Sequence, residues 1–217
     1  ELQLEYFRVQ YSGKYKAVTQ GKMPNVKWFD GIELSYAEHV FRNSSIEHPA
    51  IIFSSETGKT ESVPWKNFCE KVSGLQQFLK SANLKQGDRL AAYLPNSPEA
   101  TISFLAANSL GAIWSSCSPD FGTQAVLDRF VQIEPKILIA IDGYRYGGKY
   151  FNKAETLKEI ISALPTLEQV VIVSSQGNSK FSFPYTAWEE IKPSQNKIEF
   201  TRVPFSHPIW ILFSSGT

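Results

Sequence analysis

Hydrophobic positions in the middle of the chain alternate between a pattern typical of strands and one typical of helices. Short apolar runs predict strands at residues 89–94, 112–116, 136–141 and 169–174. Between these runs, apolar residues recur every three or four positions, which predicts amphipathic helices. Strands that alternate with helices in this way form βαβ units. The pattern therefore predicts an α/β fold with a mostly parallel sheet flanked by helices.

Residues that typically begin or end helices lie at the ends of one of the predicted helices. Ser97 is suited to an N-cap, Pro98 to the first helical position, and Gly111 to the end of the same helix. A β-hairpin is predicted from residues 50–54 and 61–65, which flank a turn. The clearest helical stripe precedes the first parallel strand and consists of Phe68, Val72, Leu75, Leu79 and Ala82.

The first part of the chain has no clear hydrophobic period. Residues 1–34 are rich in aromatic residues, glycine and proline, and they predict an irregular arm that packs on the domain through Trp28 and Phe29. A short helix is predicted after this arm, reaching to about residue 42. Ser35 and Glu38 have the spacing of a capping box, in which each side chain accepts a hydrogen bond from the other residue's backbone amide.

The chain ends in an apolar run followed by small polar residues. Residues 210–213 predict a buried strand, and Ser214, Ser215, Gly216 and Thr217 follow it directly. Glycine allows a close approach of the backbone to an anion, and hydroxyl and N–H groups can donate hydrogen bonds to phosphate. Strands of parallel sheets also carry ligands beyond their carboxyl ends. The tetrapeptide therefore fits a phosphate loop, although an ordinary turn has the same composition.

Composition and charge exclude several classes of protein. The chain has 217 residues, of which 42% are hydrophobic, so it can bury a substantial core. Its formal net charge of +1 argues against a broad basic surface for nucleic acid. It contains no apolar run of roughly 18 residues, so no membrane span is expected, and its first residues lack the pattern of a secretory signal. Cys69 and Cys117 are typical of reduced thiols in a cytosolic protein.

A few polar residues outside the last strand could belong to a site. Arg145 and Lys149 bracket a glycine-rich segment after a predicted strand, and two cations there suit a ligand phosphate as well as ordinary solvated charge. Asp120 lies in a proline-containing loop, where it could serve a site or bond to local amides. The three histidines have no metal-ligand spacing. No metal site is predicted.

Several segments resemble the acyl-CoA synthetase branch of the adenylate-forming enzymes. They are residues 28–31 (WFDG), 34–38 (LSYAE), 87–89 (GDR), 93–97 (YLPNS), 111–114 (GAIW) and 213–217 (FSSGT). Three further segments narrow the resemblance to the acetoacetyl-CoA synthetases of that branch. These are residues 116–122 (SCSPDFG), 126–130 (VLDRF) and 204–208 (PFSHP).

The resemblance implies a two-step, cytosolic ligase that feeds acetoacetate into lipid synthesis. Acetoacetate would attack the α-phosphate of ATP to give an acyl-adenylate, and CoA would then displace AMP, with Mg²⁺ stabilising the phosphates. It implies a large N-terminal domain, of which residues 35–217 are the first part of the AMP-binding (adenylation) region, preceded by the arm at residues 1–34. The whole protein would be about three times longer.

The resemblance also implies roles for particular residues. Ser214, Ser215, Gly216 and Thr217 match the first half of a motif that holds the ATP phosphates. The CoA-binding candidates are Pro119, Asp120, Arg145 and Lys149. The catalytic lysine, the acidic Mg²⁺ ligand and the acyl pocket would lie beyond Thr217, so no catalytic residue is assigned here and the isolated chain is expected to be inactive.

Two other functions remain open from the sequence. The protein could activate another short acid such as acetate or propionate, although the loop at residues 118–122 argues against this. It could instead be a non-catalytic nucleotide-binding or interaction domain, although the position of the last strand and loop argues against a domain complete in itself.

Overall fold

A computed structural model of the protein describes residues 2–56, 58, 60–176 and 180–214. The first part of the chain forms short regular elements instead of a wholly irregular arm. These are α1 (Leu2–Tyr6), β1 (Tyr11–Gly13), β2 (Thr19–Gln20), β3 (Lys27–Trp28) and β4 (Ile32–Leu34). Strands β2 and β3 form one antiparallel pair, and β1 and β4 form another.

Only one of the two aromatic residues expected to anchor this arm does so. Phe29 is buried, and its ring centroid lies 5.2 Å from that of Tyr15 and 5.1 Å from that of Phe205. Trp28 remains 49% exposed, so the prediction that it packs on the domain was wrong. The reason is its position on the two-stranded β2–β3 ribbon, where successive side chains point to opposite faces and both residues of β3 are exposed.

Helix α2 (Tyr36–Phe41) begins as the sequence predicts, but only half of the capping box forms. The Ser35 hydroxyl accepts a hydrogen bond from the Glu38 amide at 3.4 Å. The Glu38 carboxylate does not return to the helix start and instead accepts two hydrogen bonds from the Arg202 guanidinium, each at 2.9 Å. A bidentate pair between two ions is stronger than a single hydrogen bond from a backbone amide to the carboxylate, which explains the preference.

The predicted hairpin is confirmed and leads directly into a long helix. Strands β5 (Ile51–Ser54) and β6 (Thr60–Val63) pair antiparallel. Trp65, expected at the end of the second strand, instead opens α3 (Trp65–Ser81) after Pro64 as the N-cap. Proline has no N–H to donate to a strand ladder, so it favours a helix start at this point.

The central elements include the predicted parallel strands and helices in the predicted order, together with four short strands that the sequence did not predict. They are β7 (Arg89–Tyr93), α4 (Pro98–Ser109), β8 (Ile113–Cys117), α5 (Thr123–Ile133), β9 (Ile137–Ile141), β10 (Gly143–Tyr146), β11 (Lys149–Asn152), α6 (Ala154–Ser162), β12 (Gln169–Val173), β13 (Thr186–Ala187) and β14 (Val203–Pro204). The five-stranded sheet has the order β13-β12-β9-β7-β8, and all its neighbouring strands are parallel. The α/β fold predicted from the hydrophobic pattern is thus confirmed. Across the described ranges, every helix is too short or too polar to cross a membrane.

This sheet is covered by helices on both faces. Leu90, Ala92 and Ile139 pack on one face with side chains of α3 and α4. Ala91, Leu138 and their neighbours pack on the other face with side chains of α5 and α6. All five residues of β9 are buried, which explains its unbroken apolar sequence.

The chain order of the strands creates a crevice between β7 and β9. From β7 the chain passes through α4 on one face to β8, whereas from β9 it passes through α6 on the other face to β12. Because β7 and β9 are neighbours, their connections leave the carboxyl ends of the strands in opposite directions. Open α/β sheets bind ligands at such a switch point.

The segment at residues 210–213 runs beside β8 but is not the buried strand that the sequence predicts. Trp210 forms a single parallel bridge with Trp114, and the Ile211 amide donates to the Trp114 carbonyl at 2.8 Å. Trp210 is 42% and Leu212 is 76% exposed. No strand in the described part of the chain lies beyond this segment, so its outer side is uncovered.

Candidate functional site

A cavity of about 870 Å³ opens at the switch point. Its floor is formed by residues at the carboxyl ends of β7, β9 and β12, including Asn96, Ile141 and Ser174. Residues of the β5–β6 and β10–β11 hairpins form its sides. The cavity therefore lies where this topology places a ligand.

A buried carboxylate organises the floor of this cavity. Asp142, directly after β9, is 1% exposed and accepts hydrogen bonds from the Ser174 hydroxyl at 2.9 Å and from the Ser175 amide and hydroxyl at 2.7 and 2.6 Å. The Ser175 hydroxyl also lies 2.9 Å from that of Tyr150. Since the single hydroxyl proton of Ser175 is directed to Asp142, Tyr150 is the donor in this second bond. Asp142 thereby fixes both the loop after β12 and the hairpin.

The segment that carries Arg145 and Lys149 is a hairpin, not a loop. In its register Arg145 pairs with Tyr150, and Tyr146 pairs with Lys149. Neighbouring cross-strand pairs project to opposite faces of a ribbon, so the two cations lie on opposite faces. Arg145 and Tyr150 both line the cavity. A single phosphate group held between these two side chains, as the sequence alone suggests, does not match this arrangement.

The loop that carries Pro119 and Asp120 is held by two tyrosines. The buried Tyr93 hydroxyl lies 2.9 Å from the Pro119 carbonyl oxygen and 2.7 Å from that of Phe121. A hydrogen bond from Tyr144 in β10, with a second from Ser118, lowers the pKa of the Asp120 carboxyl. Burial raises the pKa of Tyr144, and its hydrogen bond to Asp120 helps to bring it to about 12. The loop and the hairpin, which are separate in sequence, therefore lie next to each other.

An arginine links this loop to the last described segment. The Arg129 guanidinium of α5 lies 5.0 Å from the ring centroid of Phe121 and 5.8 Å from that of Phe213. Both distances are within the range of a cation–π contact. The end of the last segment is thus positioned beside the loop at residues 118–122.

The predicted phosphate loop is only partly within the described residues. Ser214 is described, whereas Ser215, Gly216 and Thr217 lie outside the described residues. Trp210 forms its bridge with Trp114, three residues before the end of β8, and the two segments run parallel. Ser214, four residues after Trp210, therefore lies at the carboxyl edge of the sheet, as predicted. A second cavity of about 410 Å³ adjoins this edge and is lined by Phe104, Trp114 and Trp210.

Neither the histidines nor the acidic residues form a metal centre in the described part of the chain. No group of three or more His, Cys, Asp or Glu residues there is arranged to hold a metal ion. The His207 ring lies 2.9 Å from the Gly111 carbonyl oxygen, which agrees with a structural role.

Sequence reasoning missed the residues that hold the site together. Asp142, Tyr144 and Tyr150 were not singled out. For Asp142 a signal existed, since an acidic residue directly follows an unbroken apolar strand and so stands at the carboxyl edge of the sheet. Nothing in the sequence marks Tyr144 and Tyr150, because their partners are distant along the chain.

The Cys117 thiol at the end of β8 should make stability depend on alkaline pH. Burial raises its pKa from 9.0 to about 11, although the nearby Arg129 opposes this. The folded protein therefore keeps the thiol proton after the unfolded chain has lost it. The stability that the protonated Cys117 thiol contributes to the folded state is fully present below pH 9.0. It is lost as the pH rises toward about 11.

Urea unfolding at pH 8 and pH 10 tests this prediction. We expect the wild type to lose more stability between the two pH values than Cys117→Ala does. Equal losses in the two proteins would show that the thiol is not responsible.

Comparison with known proteins finds matches to this chain in both sequence and structure. Residues 37–217 match the sequence profile described as AMP-binding enzyme. Over 206 residues the chain is 39% identical to an acetoacetyl-CoA synthetase of Macaca fascicularis, covering 88% of this chain and 30% of the relative. Over 214 residues it is 40% identical to an acetoacetyl-coenzyme A synthetase of Rhizobium meliloti (strain 1021), covering 95% and 32%.

Two further relatives widen the comparison. The chain is 32% identical over 232 residues to a malonamoyl-CoA synthetase of Penicillium aethiopicum, covering 98% of this chain and 32% of the relative. A solved structure of an acetoacetyl-CoA synthetase from Streptomyces lividans superposes with a TM-score of 0.94 and 38% identity, covering 98% of this chain and 33% of that chain. The chain spans about a third of the length of the curated relatives it matches.

Proposed function

Because the chain belongs to the AMP-binding enzyme family, we propose that it is the N-terminal part of an AMP-forming ligase that joins acetoacetate to CoA. One observation carries the proposal. The superposition on the Streptomyces lividans acetoacetyl-CoA synthetase extends over 98% of this chain at 38% identity. A match of this extent covers nearly the whole chain and not the central sheet alone.

The proposed reaction has two steps. A carboxylate oxygen of acetoacetate attacks the α-phosphorus of ATP, the bond to the β-phosphate bridging oxygen breaks, and pyrophosphate leaves. The CoA sulfur then attacks the acyl carbonyl, the bond to AMP breaks, and the thiol proton is released. Mg²⁺ would neutralise charge on the phosphates, and its acidic ligand is proposed to lie outside this chain.

We assign residues 35–217 to the first part of the adenylation domain and residues 1–34 to an arm that precedes it. No catalytic residue is assigned within the chain. The isolated chain is expected to be inactive, and the whole protein is expected in the cytosol, where acetoacetate would enter lipid synthesis.

Ser214, Ser215, Gly216 and Thr217 are proposed to hold the ATP phosphates. The position of Ser214 at the carboxyl edge of the sheet supports this, since backbone amides and hydroxyls in a loop after a strand can surround an anion. The cation–π contacts of Arg129 with Phe121 and Phe213 would keep this loop beside the loop at residues 118–122.

Pro119, Asp120, Arg145 and Lys149 are proposed to bind CoA. The interaction of Asp120 with Tyr144 supports this, because it shows that the loop lies next to the hairpin. Since Arg145 and Lys149 project from opposite faces of the hairpin, we assign them to different polar groups of CoA.

Replacing Arg145 with alanine should weaken CoA binding without affecting the adenylation step. We expect the KM for CoA in the whole protein to rise about tenfold, the order expected for losing a charge-assisted hydrogen bond at an exposed position. Acetoacetate-dependent ATP–pyrophosphate exchange, which needs no CoA, should stay within about twofold of wild type.

Two variants control this experiment. Arg145→Lys keeps the positive charge and should recover part of the CoA affinity. Lys149→Ala removes a cation from the opposite face and tests that residue independently. An equal loss of both half-reactions in Arg145→Ala would contradict a role confined to CoA.

The acyl substrate is tested with a panel of carboxylates on the whole protein. The panel should include acetoacetate, acetate, propionate and malonamate, the last because one relative is a malonamoyl-CoA synthetase. We expect kcat/KM for acetoacetate to exceed the others by at least about tenfold. A preference for acetate or propionate would favour the alternative short-acid ligase, and no turnover of any acid would favour a non-catalytic domain.

A further inference from the structure

The tips of the two hairpins beside the cavity are joined by a carboxylate. Glu56, two residues after β5, accepts a hydrogen bond from the Gly147 amide at 2.8 Å and another from the Gly148 amide at 3.3 Å. These glycines form the turn between β10 and β11. The contact therefore links the β5–β6 hairpin to the tip of the hairpin that carries Arg145 and Lys149.

The Gly147-Gly148 turn has the properties of an anion-binding position. Both residues have positive φ angles, of 58° and 74°, which presents successive amides to a common partner and which glycine adopts without strain. Arg145 and Lys149 flank the turn, one on each face of the hairpin. A Cβ atom added at either glycine would meet nothing within 4 Å, so the turn is also open to a ligand.

We propose that Glu56 competes with a phosphate group of the ligand for the Gly147 and Gly148 amides. The two carboxylate oxygens would thus stand in for two phosphate oxygens at the Gly147 and Gly148 amides. The inference rests on the proposed function for its ligand, CoA, and it adds to that function an internal competitor that sets the affinity.

The charges explain why a phosphate displaces this carboxylate. A phosphate group offers more acceptor oxygens than a carboxylate, and a phosphate monoester also carries more negative charge, so it gains more from the two amides and from the cation on its own face of the hairpin. Glu56 is exposed at this contact, and on leaving the turn it is hydrated by water. Displacement of Glu56 therefore costs only the net free energy of two exposed hydrogen bonds.

The affinity of Glu56→Gln for CoA tests the direction of the effect. Isothermal titration of the whole protein with CoA and with dephospho-CoA gives the dissociation constants, independently of turnover. If Glu56 competes with phosphate, the variant should bind CoA about three- to tenfold more tightly. If Glu56 only holds the hairpin in place, the variant should bind more weakly, and an unchanged or weaker affinity overturns the proposal.

A matched variant separates competition from general electrostatics. Glu61 lies on the same hairpin and also lines the cavity, and no contact with the glycine turn is observed for it among the described residues. Glu61→Gln removes the same charge without freeing the amides, so we expect less than about half of the effect. An equal gain in Glu61→Gln would overturn displacement at the turn.

Comparing CoA with dephospho-CoA identifies which phosphate of the ligand binds at the turn. Measuring binding apart from turnover also distinguishes a failure of this proposal from a failure of the proposed function. A gain seen with CoA but not with dephospho-CoA places the 3′-phosphate at the turn, and a gain with both places the diphosphate there. If the wild type binds CoA but forms no thioester, the proposed ligase activity fails while the Glu56 result still stands. If no protein binds CoA, both proposals fail.

Discussion

Replacing Asp142 with alanine should lower the free energy of unfolding by about 2–4 kcal/mol, the largest effect we expect from any single polar residue here. The substitution removes the acceptor of three hydrogen bonds at a position that is 1% exposed. It leaves the Ser175 amide without its carboxylate partner and frees the hydroxyl that receives the Tyr150 bond. Chemical denaturation of wild type and variant measures this loss.

A conservative variant distinguishes lost charge from lost volume. Asp142→Asn keeps the shape and one acceptor oxygen, so we expect about half of the destabilisation. Both variants should also raise the KM for CoA, because the network holds the hairpin that carries Arg145. A value for Asp142→Ala within about 0.5 kcal/mol of wild type would contradict the role given to this carboxylate.

Gly74→Ala should destabilise the protein by about 1–3 kcal/mol, although alanine normally stabilises a helix interior by about 1 kcal/mol relative to glycine. Gly74 is a buried residue of α3, against which the backbone at residues 192–193 packs. A Cβ atom there would overlap the Lys192 carbonyl oxygen and lie 3.1 Å from the Pro193 Cα. The backbone cannot rotate out of the way as a side chain can, so the packing cost exceeds the gain in helix propensity.

The control is a substitution to alanine on the exposed side of the same helix. Lys71 is exposed, and Lys71→Ala should change the melting temperature by no more than about 2 °C. Gly74→Ala should lower it by several degrees more. A rise in the melting temperature of Gly74→Ala would show that residues 192–193 do not pack as described.

The layers of the fold could be predicted because they depend on local periodicity. The unbroken apolar sequence of β9 and the stripe through Phe68 and Leu75 each follow from burial against a neighbouring layer. The same alternation placed Ser214 at the carboxyl edge of the sheet, and only the family resemblance favoured a phosphate loop there over an ordinary turn.

What could not be predicted depends on partners far apart along the chain. Glu38 was expected to cap its own helix, but it pairs with Arg202, 164 positions away. The β10–β11 hairpin was predicted as a loop, because Gly147 and Gly148 at its turn give the segment the composition of a loop. The bond between Glu56 and the Gly147 amide spans 91 positions, and no local pattern indicates it. Hydrogen bonds between residues so far apart in sequence position the side chains of the site, and a single sequence contains no signal for them.

The products formed by the whole protein test the central claim most directly. After incubation with acetoacetate, ATP, Mg²⁺ and CoA, the nucleotide and thioester products can be separated and quantified. We expect AMP, pyrophosphate and acetoacetyl-CoA in equal amounts, with pyrophosphate exchange into ATP when CoA is omitted. Formation of ADP and phosphate, or the absence of a CoA thioester, would contradict the assignment of this chain to an AMP-forming acetoacetate–CoA ligase.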